Sequence, residues 1–356
     1  MKLLHTADLH LSEQAPERWA ALCELVKTAK REKVQVLVIA GDLFDQNVDA
    51  EMLRSRLRDI FGGGSFMTVI IPGNHDSRAY RSGLFFGKGV QIITDWREPV
   101  RLDGVDLWGL PYEPLEGEKL VSRLLEISSL MSREKYNLLL FHGDLLDAYF
   151  SSRDLGSEGT RRYMPVKLGY FSMLPLHYVL AGHFHSRYTA WQIPGGGYFV
   201  YPGSPVSVTR RETGRRVANL IVTGQTPMEV PLDTFHYEEI RLTLDPFIHR
   251  DPLAVIKDKI EDSDSAARVL LTVEGLYDGS LQELSEEQLA TSIREMLDKR
   301  GAEATEFNFS DVRHVLEDDL FQRFNNILAK KDYSPEQKQK IREMTIRAFR
   351  VVKTCS

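Results

Sequence analysis

Five apolar runs in this chain lead into side chains that ligate metal ions. In chain order the ligand-bearing fragments are Asp8-Leu9-His10, Gly41-Asp42-Leu43-Phe44-Asp45, Gly73-Asn74-His75-Asp76, His142-Gly143 and Gly182-His183-Phe184-His185. The first three runs cover residues 2–5, 34–40 and 66–71. They alternate with helical spacing at Trp19, Leu22, Cys23 and Val26, and with a second predicted helix over 50–60. Strand–helix–strand–helix–strand order predicts a parallel sheet, and the C-terminal ends of its strands share one edge. Groups that end such strands converge there. In Asp8-x-His10 and His183-x-His185, alternate residues of an extended segment lie on one side, so each pair can reach a common site. Carboxylate, imidazole and amide donors without thiolate suit manganese, iron or zinc in a reactive centre rather than a structural zinc. A lone Asp-x-His or Gly-Asn-His-Asp is usually an ordinary turn, but five such fragments in this order are hard to obtain by chance. His5, His177, His236, His249 and His314 fit no such pattern and read as surface or satisfied core histidines. Gly62-Gly63-Gly64 lacks the Gly-Lys-Ser/Thr ending of a phosphate-cradling loop and reads as a helix-to-strand turn.

Beyond residue 90 the pattern predicts short strands over 90–93, 100–102 and 106–110, then a helix over 118–131. Apolar runs at 137–141 and 178–181 are each followed by a histidine. Residues 191–193 and 198–201 flank Pro194-Gly195-Gly196-Gly197, a hairpin turn. Runs at 217–222 and 228–232 complete a second set of β segments. The expected fold class is α/β: an αββα two-sheet sandwich over 1–235, a small α+β capping domain over 236–310 and C-terminal helices over 311–356. The length of 356 residues fits two domains with a small third unit. The cap reads as strands at 238–244, 268–273 and 305–309 with helices at 252–260 and 285–299, the second stopped by Gly301. In the tail, Ser334-Pro335-Glu336-Gln337 marks a helix start. Two apolar stripes follow helical spacing there: Leu316, Leu320, Phe324 and Ile327/Leu328, then Ile341, Met344, Ala348 and Val351/Val352.

Charge adds one constraint. The chain carries 45 basic and 51 acidic residues, a net charge of −6, which argues against a nucleic-acid coat protein. Residues 151–216 nevertheless hold nine basic and three acidic residues, compatible with a confined polyanion site. Cys23 and Cys355 cannot frame a disulfide scaffold, so a reducing compartment is expected. No run of about 18 apolar residues predicts a membrane span, and the N-terminal apolar run is too short for a secretory signal. A cytoplasmic location with no membrane attachment is the expectation.

The order Asp-x-His, Gly-Asp-x-x-Asp, Gly-Asn-His-Asp, lone His and Gly-His-x-His resembles the calcineurin-like metallophosphoesterase superfamily, over roughly residues 1–222. Gly41-Asp42-Leu43-Phe44-Asp45, Ile71-Pro72-Gly73-Asn74-His75-Asp76 and Tyr201-Pro202-Gly203-Ser204-Pro205, with Glu212 following, resemble its SbcD/Mre-type DNA-repair nuclease branch. Leu9 departs from that branch, where an aromatic residue is more familiar, and the capping region is short. The resemblance implies that Asp8, His10 and His185 bind one metal, that Asn74, His142 and His183 bind another, and that Asp42 bridges them. It implies two divalent ions, Mn²⁺ foremost, with Mg²⁺, Fe²⁺ or Zn²⁺ also admissible. His75 would protonate the leaving alkoxide or stabilise its charge, and Asp45 would orient His75 and hold its proton. The implied activity is 3′-to-5′ double-strand exonuclease and single-strand endonuclease action in DNA-end or double-strand-break processing. The implied assembly is a homodimer partnered by an SbcC-type ABC ATPase with a long coiled coil.

The residues themselves reach only as far as a two-metal phosphoesterase. They leave open a small-molecule phosphodiesterase or phosphatase on the same centre, and a non-enzymatic scaffold, which would not need the full ligand set. Arg210, Arg211, Arg215 and Arg216 surround a turn at Thr213-Gly214 and are expected to hold DNA phosphates near the metal edge. The tail from residue 311 has ten basic and seven acidic residues, and its amphipathic helices are expected to dock on the ATPase coiled coil.

Overall fold

Leu3 and Leu4 point to opposite faces of the first strand, and that alternation organises the larger part of the molecule. The structure is a computed structural model. It describes residues 1–80, 84–148 and 162–354, with the side chains of 305 and 350–354 excepted. Arg153 and Arg161 of the basic stretch and Cys355 lie outside the described residues, as do the side chains of Val351/Val352 of the second stripe. The chain divides into two units, Met1–Tyr237 and Glu238–Ser356.

The first unit runs β1 (Lys2–Thr6), α1 (Pro16–Arg31), β2 (Val36–Ala40), α2 (Ala50–Gly62), β3 (Met67–Ile71), β4 (Val90–Ile92), β5 (Val100–Leu102), β6 (Val105–Leu110), α3 (Gly117–Leu130), β7 (Tyr136–His142), β8 (Tyr178–Gly182), β9 (Thr189–Gln192), β10 (Tyr198–Tyr201), β11 (Val217–Val222) and β12 (Met228–Pro231). They build two six-stranded sheets, ordered β12-β11-β1-β2-β3-β4 and β5-β6-β7-β8-β10-β9. β1 to β4 are parallel to one another in turn, as are β6, β7, β8 and β10. Every residue of β2 is buried, as a β-branched run covered on both faces requires.

Alternate residues build three apolar layers. Leu3, Val36, Val38, Val69 and Ile71 meet Leu107, Leu138, Leu140 and Leu180 between the sheets. Leu4, Leu37, Ile39 and Ile70 face the other way, onto Trp19, Leu22 and Leu25 of α1 and Leu53 and Leu57 of α2. Trp108, Leu139, Phe141 and Val179 pack likewise on Leu120, Leu124 and Ile127 of α3. The result is the αββα sandwich read from the sequence.

One assignment is corrected. The pattern places residues 217–222 and 228–232 in the second sheet, but β11 and β12 return to the first, β11 antiparallel to β1 with Leu4 opposite Leu220. Ile221 enters the layer between the sheets while Ala218 and Leu220 pack under the helices. An antiparallel neighbour needs no crossover helix, so local pattern carries no sign of which sheet such a strand joins.

The second unit holds most of β13 (His236–Leu244), then α4 (Pro252–Glu261), β14 (Ala267–Tyr277), α5 (Glu286–Arg300), β15 (Glu303–Asp311), α6 (Arg313–Leu316), α7 (Asp319–Ala329) and α8 (Pro335–Thr354). β13, β14 and β15 form a three-stranded sheet over a core that includes Ile256, Ile260, Leu289, Ile293 and Leu297. α5 opens with a reciprocal capping box between Ser285 and Gln288 and ends at Gly301, φ 67°. Ser334 and Gln337 exchange the same pair of bonds at the start of α8.

The helical tail buries only part of the expected stripes: Leu316, Phe324 and Leu328 of the first pack inward, together with residues that lie off the stripes. Phe321, Leu328 and Ile346 are buried with Val312, Val315 and Leu276, and Phe324 and Phe349 pack against them. Leu320, Ile327 and Met344 stand exposed. Residues 316, 320, 324 and 327 and residues 321, 324 and 328 both satisfy helical spacing. Only the surface that a helix meets distinguishes two such faces.

Candidate metal centre

The loops that follow β1 and β2 run side by side. The Asp8 N–H donates to the Gly41 carbonyl at 3.1 Å, His10 to Asp42 at 2.9 Å and Leu11 to Leu43 at 2.8 Å. This ladder sets Asp8 and His10 beside Asp42. Backbone strain accompanies it: Asp8 (φ 58°), His10 (47°), Asp42 (50°) and His183 (98°) all occupy the left-handed region. Such conformations cost on the order of 1–3 kcal/mol each and gather at functional sites. The Asn74–His75 turn follows β3, and a Cβ on Gly73 would lie 2.2 Å from Asp42 Oδ1. Glycine is what allows the third loop to close on the second. From the other sheet come His142, the last residue of β7, and His183 and His185 just beyond β8.

The seven side chains expected as ligands meet. His142 Nε2 lies 2.9 Å from Asn74 Oδ1 and 3.2 Å from Asp42 Oδ2. His183 Nδ1 is 3.1 Å from the same Asn74 oxygen. His10 Nε2 lies 3.1 Å from His185 Nε2 and 3.8 Å from Asp42 Oδ2, and His185 Nε2 is 3.9 Å from Asp8 Oδ1. All but Asn74 are buried. The ligand atoms of Asp8, His10 and His185, and those of Asp8, Asp42 and His142, lie within 4.8 Å of one another.

These atoms have the chemistry of cation ligands. His142 Nδ1 is 2.8 Å from the Ala40 carbonyl, an acceptor, so Nδ1 carries the proton. In the neutral ring Nε2 then turns a lone pair toward the oxygens of Asn74 and Asp42. At His185, Nδ1 faces Glu212 Oε1 at 3.3 Å, and Nε2 turns its lone pair to His10 and Asp8. Acceptors that converge in this way suit a cation. Ligand atoms about 2.0–2.2 Å from one ion stand about 3 Å apart at a right angle, the spacing seen here.

The electrostatics agree. Burial pushes the His142 imidazole down, but the Asp42 carboxylate, its hydrogen bond, Asp8 and the Ala40 carbonyl together raise it to about 10. Without a metal, a proton is the cation that this cluster takes up. Burial holds His10 at about 3, against the pull of Asp42, leaving its ring neutral and ready to ligate. Burial would raise Asp42, but His142 and His10 hold it far below the carboxylate range.

His75 and Asp45 line an open cleft of about 840 Å³ with Asn74, Arg78, Tyr112 and Tyr163. The His75 N–H donates to Asp42 Oδ1 at 2.9 Å. Its Nδ1 stands 3.8 Å from Asp45 Oδ1, and its ring meets His10 edge-on at 4.7 Å.

The arginines separate into two groups. Arg210 and Arg211 are exposed on the turn between Thr209 and Glu212, whose side chains bond each other at 3.1 Å. Arg215 is exposed and pairs with Asp233 at 2.6 Å. Arg216 is a correction to the expected phosphate-binding set. It is buried, and its guanidinium donates to the carbonyls of Ser204 and Ser186, both at 2.9 Å, and of His185. Those bonds consume the donors that a phosphate would need.

Three side chains that contact the cluster or its neighbours were not assigned from sequence. Glu212, quoted above only as part of a motif, is buried and reaches His185. Asp144 accepts from the Tyr163 N–H at 2.7 Å and stands 3.8 Å from His183 Nε2; it lies two residues after His142, the spacing that shares a face in extended chain. Arg18 bonds Asp45 at 2.7 Å, and nothing in its sequence surroundings marks it.

The two packed sheets with this cluster on their shared strand-end edge define a metal-dependent phosphoesterase. The chain belongs to the calcineurin-like phosphoesterase family, whose profile matches residues 1–187. Proteins of this family bind two divalent metal ions and are hydrolases of phosphate esters.

Among curated relatives, the chain is 25% identical over 229 residues to the DNA double-strand break repair protein Mre11 of Saccharolobus solfataricus, covering 58% of this chain and 54% of that protein. It is 34% identical over 128 residues to the SbcD component of the SbcCD nuclease of Staphylococcus saprophyticus, covering 32% of this chain and 34% of that one. The chain thus matches about half and about a third of their lengths. Solved structures similar to it include a Thermus thermophilus protein, with TM-score 0.42 and 16% identity over 61% of this chain and 92% of that one. Another is a dimetal phosphatase from Danio rerio, with TM-score 0.44 and 12% identity over 65% and 96%. Among the described residues no helix is long and apolar enough to cross a membrane.

Proposed function

We propose that this chain is a Mn²⁺-dependent DNA nuclease that processes DNA ends, with 3′-to-5′ exonuclease action on duplexes and endonuclease action on single strands. In this reading Asp8, His10 and His185 would hold one ion, Asn74, His142 and His183 would hold the second, and Asp42 would serve both. The observation that carries it is the approach of both Asn74 Oδ1 and Asp42 Oδ2 to within 3.2 Å of His142 Nε2, with Ala40 fixing the opposite ring nitrogen. Paired divalent ions clamp a phosphoryl group and lower the pKa of water. Around them, Asp42 and the four imidazoles exclude bulk water and fix the ligand geometry. His75 protonates the leaving oxygen, and Asp45 holds the imidazole from Nδ1. Similarity to two proteins named for break repair and for a nuclease supports DNA as the substrate. Exposed Arg210, Arg211 and Arg215 hold phosphates in this reading.

The same reading makes residues 236–310 a cap and the tail a docking element for an SbcC-type ABC ATPase, with the nuclease a homodimer in the cytoplasm. Exposed Leu320 and Ile327 on α7 and Met344 on α8, in a tail of ten basic and seven acidic residues, support the docking role.

The test is incubation of the protein with end-labelled duplex and hairpin DNA in Mn²⁺, Mg²⁺ or chelator. Metal-dependent shortening from 3′ ends is expected. Replacing Arg210, Arg211 and Arg215 by Ala should flatten the salt dependence of binding, at roughly 0.9 log unit for each phosphate no longer neutralised.

A second reading, a small-molecule phosphodiesterase, is favoured by one observation. The cleft of about 840 Å³ includes Asp45, Asp49 and Glu113 in its lining. Its size suits a small ligand, and three carboxylates against one arginine, Arg78, leave its lining net acidic. Turnover of small diesters with no cleavage of DNA would select it.

A further inference from the structure

α1 begins at Pro16 and carries Arg18 in its first turn, where side chains face the loops that precede and follow the neighbouring strands. Arg18 Nη1 donates to Asp45 Oδ2 at 2.7 Å and also to the backbone carbonyl of His10. One guanidinium therefore ties the loop after β1 to the loop after β2, on the side of the metal cluster where His75 stands. The Asp45 carboxylate is held at both oxygens. Oδ2 takes Arg18, and Oδ1 accepts the Gln46 N–H at 2.8 Å while facing His75 Nδ1 at 3.8 Å. His75 is also restrained by its own backbone N–H on Asp42 and by the edge of the His10 ring. Asp45 is the more exposed partner, with 36% of its side-chain surface open against 14% for Arg18. A carboxylate so open would swing among rotamers unless something fixed it.

We infer that Arg18 is a positioning residue for leaving-group protonation. By clamping Asp45 Oδ2 it keeps Oδ1 directed at His75 Nδ1, and so aims the opposite imidazole nitrogen at the departing oxygen. In the step served, the water-derived oxygen bonds to phosphorus and the bond from phosphorus to the leaving oxygen breaks. The proton moves from His75 Nε2 to that oxygen, leaving a neutral imidazole that solvent reprotonates. Arg18 takes no part in the proton transfer and touches no reacting atom. Lysine would not be equivalent, because a fork of donors reaches a carboxylate and a carbonyl at once, whereas an ammonium is a point charge. The inference rests on the proposed role of His75 but not on DNA being the substrate.

The experiment uses Mn²⁺-loaded protein and a series of aryl phosphodiesters, from p-nitrophenyl through chlorophenyl to phenyl. A nitrophenolate departs with little help from a proton, whereas a phenolate needs more. Loss of protonation therefore appears as a steeper dependence of kcat on the leaving group. Arg18→Ala should lose least with the nitrophenyl diester and about 10- to 100-fold with the phenyl diester. His75→Ala should show the same trend more strongly, and Arg18→Ala should add nothing in the His75→Ala background. Arg18→Lys should recover part of the phenyl activity, which separates positioning from misfolding. Mn²⁺ affinity, measured by calorimetry, should match the unmodified protein in both Arg18 variants.

If His75→Ala lowers all substrates equally, the leaving-group role of His75 is wrong and this inference goes with it. If His75→Ala steepens the dependence but Arg18→Ala lowers all substrates equally or changes none, the inference alone is overturned. Weakened Mn²⁺ binding in Arg18→Ala would overturn it too, since Arg18 would then act through the His10 backbone.

Discussion

Glu212 Oε1 and His185 Nδ1 lie 3.3 Å apart with both side chains buried. Glu212 is itself fixed by the Val208 N–H at 2.7 Å and by Ser204 Oγ at 3.2 Å. Burial would raise this carboxylate, but His185, Val208 and Arg216 bring it down to about 2. It therefore stays an acceptor, and the proton of His185 stays on Nδ1.

The first prediction follows from that pair. Glu212→Gln keeps the size but loses the charge that fixes the tautomer. Loss of such an outer partner costs metal affinity about 10- to 100-fold. Calorimetric titration with Mn²⁺ should show that drop. Unchanged affinity would mean that packing alone orients His185.

Asp42 and His75 should separate metal binding from turnover. Asp42→Ala removes a carboxylate that stands among the ligand atoms of both proposed ions, and the purified protein should lose metal and activity together. His75→Ala should retain metal by elemental analysis and lose about 10²- to 10⁴-fold in turnover of DNA.

Acid should oppose metal binding through His142. Its folded pKa is raised, from 6.5 to about 10, so the metal-free protein carries a proton there at neutral pH. That proton stabilises the metal-free fold fully below about pH 6.5, and its contribution is lost as pH rises through about 10. A metal must displace it. Mn²⁺ affinity should therefore rise with pH across that window, and calorimetry in buffers of different ionisation enthalpy should record proton release on binding. Affinity independent of pH would contradict this account of His142.

Two glycines should respond oppositely to alanine. At Gly73 the new methyl would press on Asp42 at 2.2 Å, so Gly73→Ala should weaken metal binding sharply. At Gly62, the last residue of α2, nothing lies within 4 Å. Gly62→Ala should raise stability by roughly 0.5–1 kcal/mol, visible as a higher Tm with metal affinity unchanged.

The tail prediction follows the face that the fold leaves open. Removing the whole tail would strip Val315, Phe321 and Ile346 from a core that also includes Leu276 of β14, so deletion is a poor probe. Leu320→Glu with Ile327→Glu changes exposed positions only. The double variant should fail to co-purify with a co-expressed coiled-coil ATPase while its circular dichroism and basal nuclease activity stay as before. Retained association would remove these residues from the docking surface.

The clustering of the candidate ligands and the αββα order were legible in the sequence because both depend on short-range signals. A β-branched run, its alternation and the polar residue that stops it lie within a few positions of one another. Parallel strands then bring their ends to one edge without further instruction, and Asp8, Asp42 and Asn74 arrive together. Tertiary structure decided the rest. β11 joined β1, not the second sheet, because an antiparallel strand carries no crossover to announce its neighbour. Arg216 went inward because the carbonyls of Ser186 and Ser204 offer its guanidinium acceptors there. Phe321 and Ile346 were buried in place of Leu320 and Met344 because a helix with apolar residues on two faces buries the one that meets a partner. Arg18 and Glu212 reached Asp45 and His185 for the same kind of reason. Such pairings are fixed by the complementarity of surfaces distant in the chain, and periodicity along the chain holds no record of them.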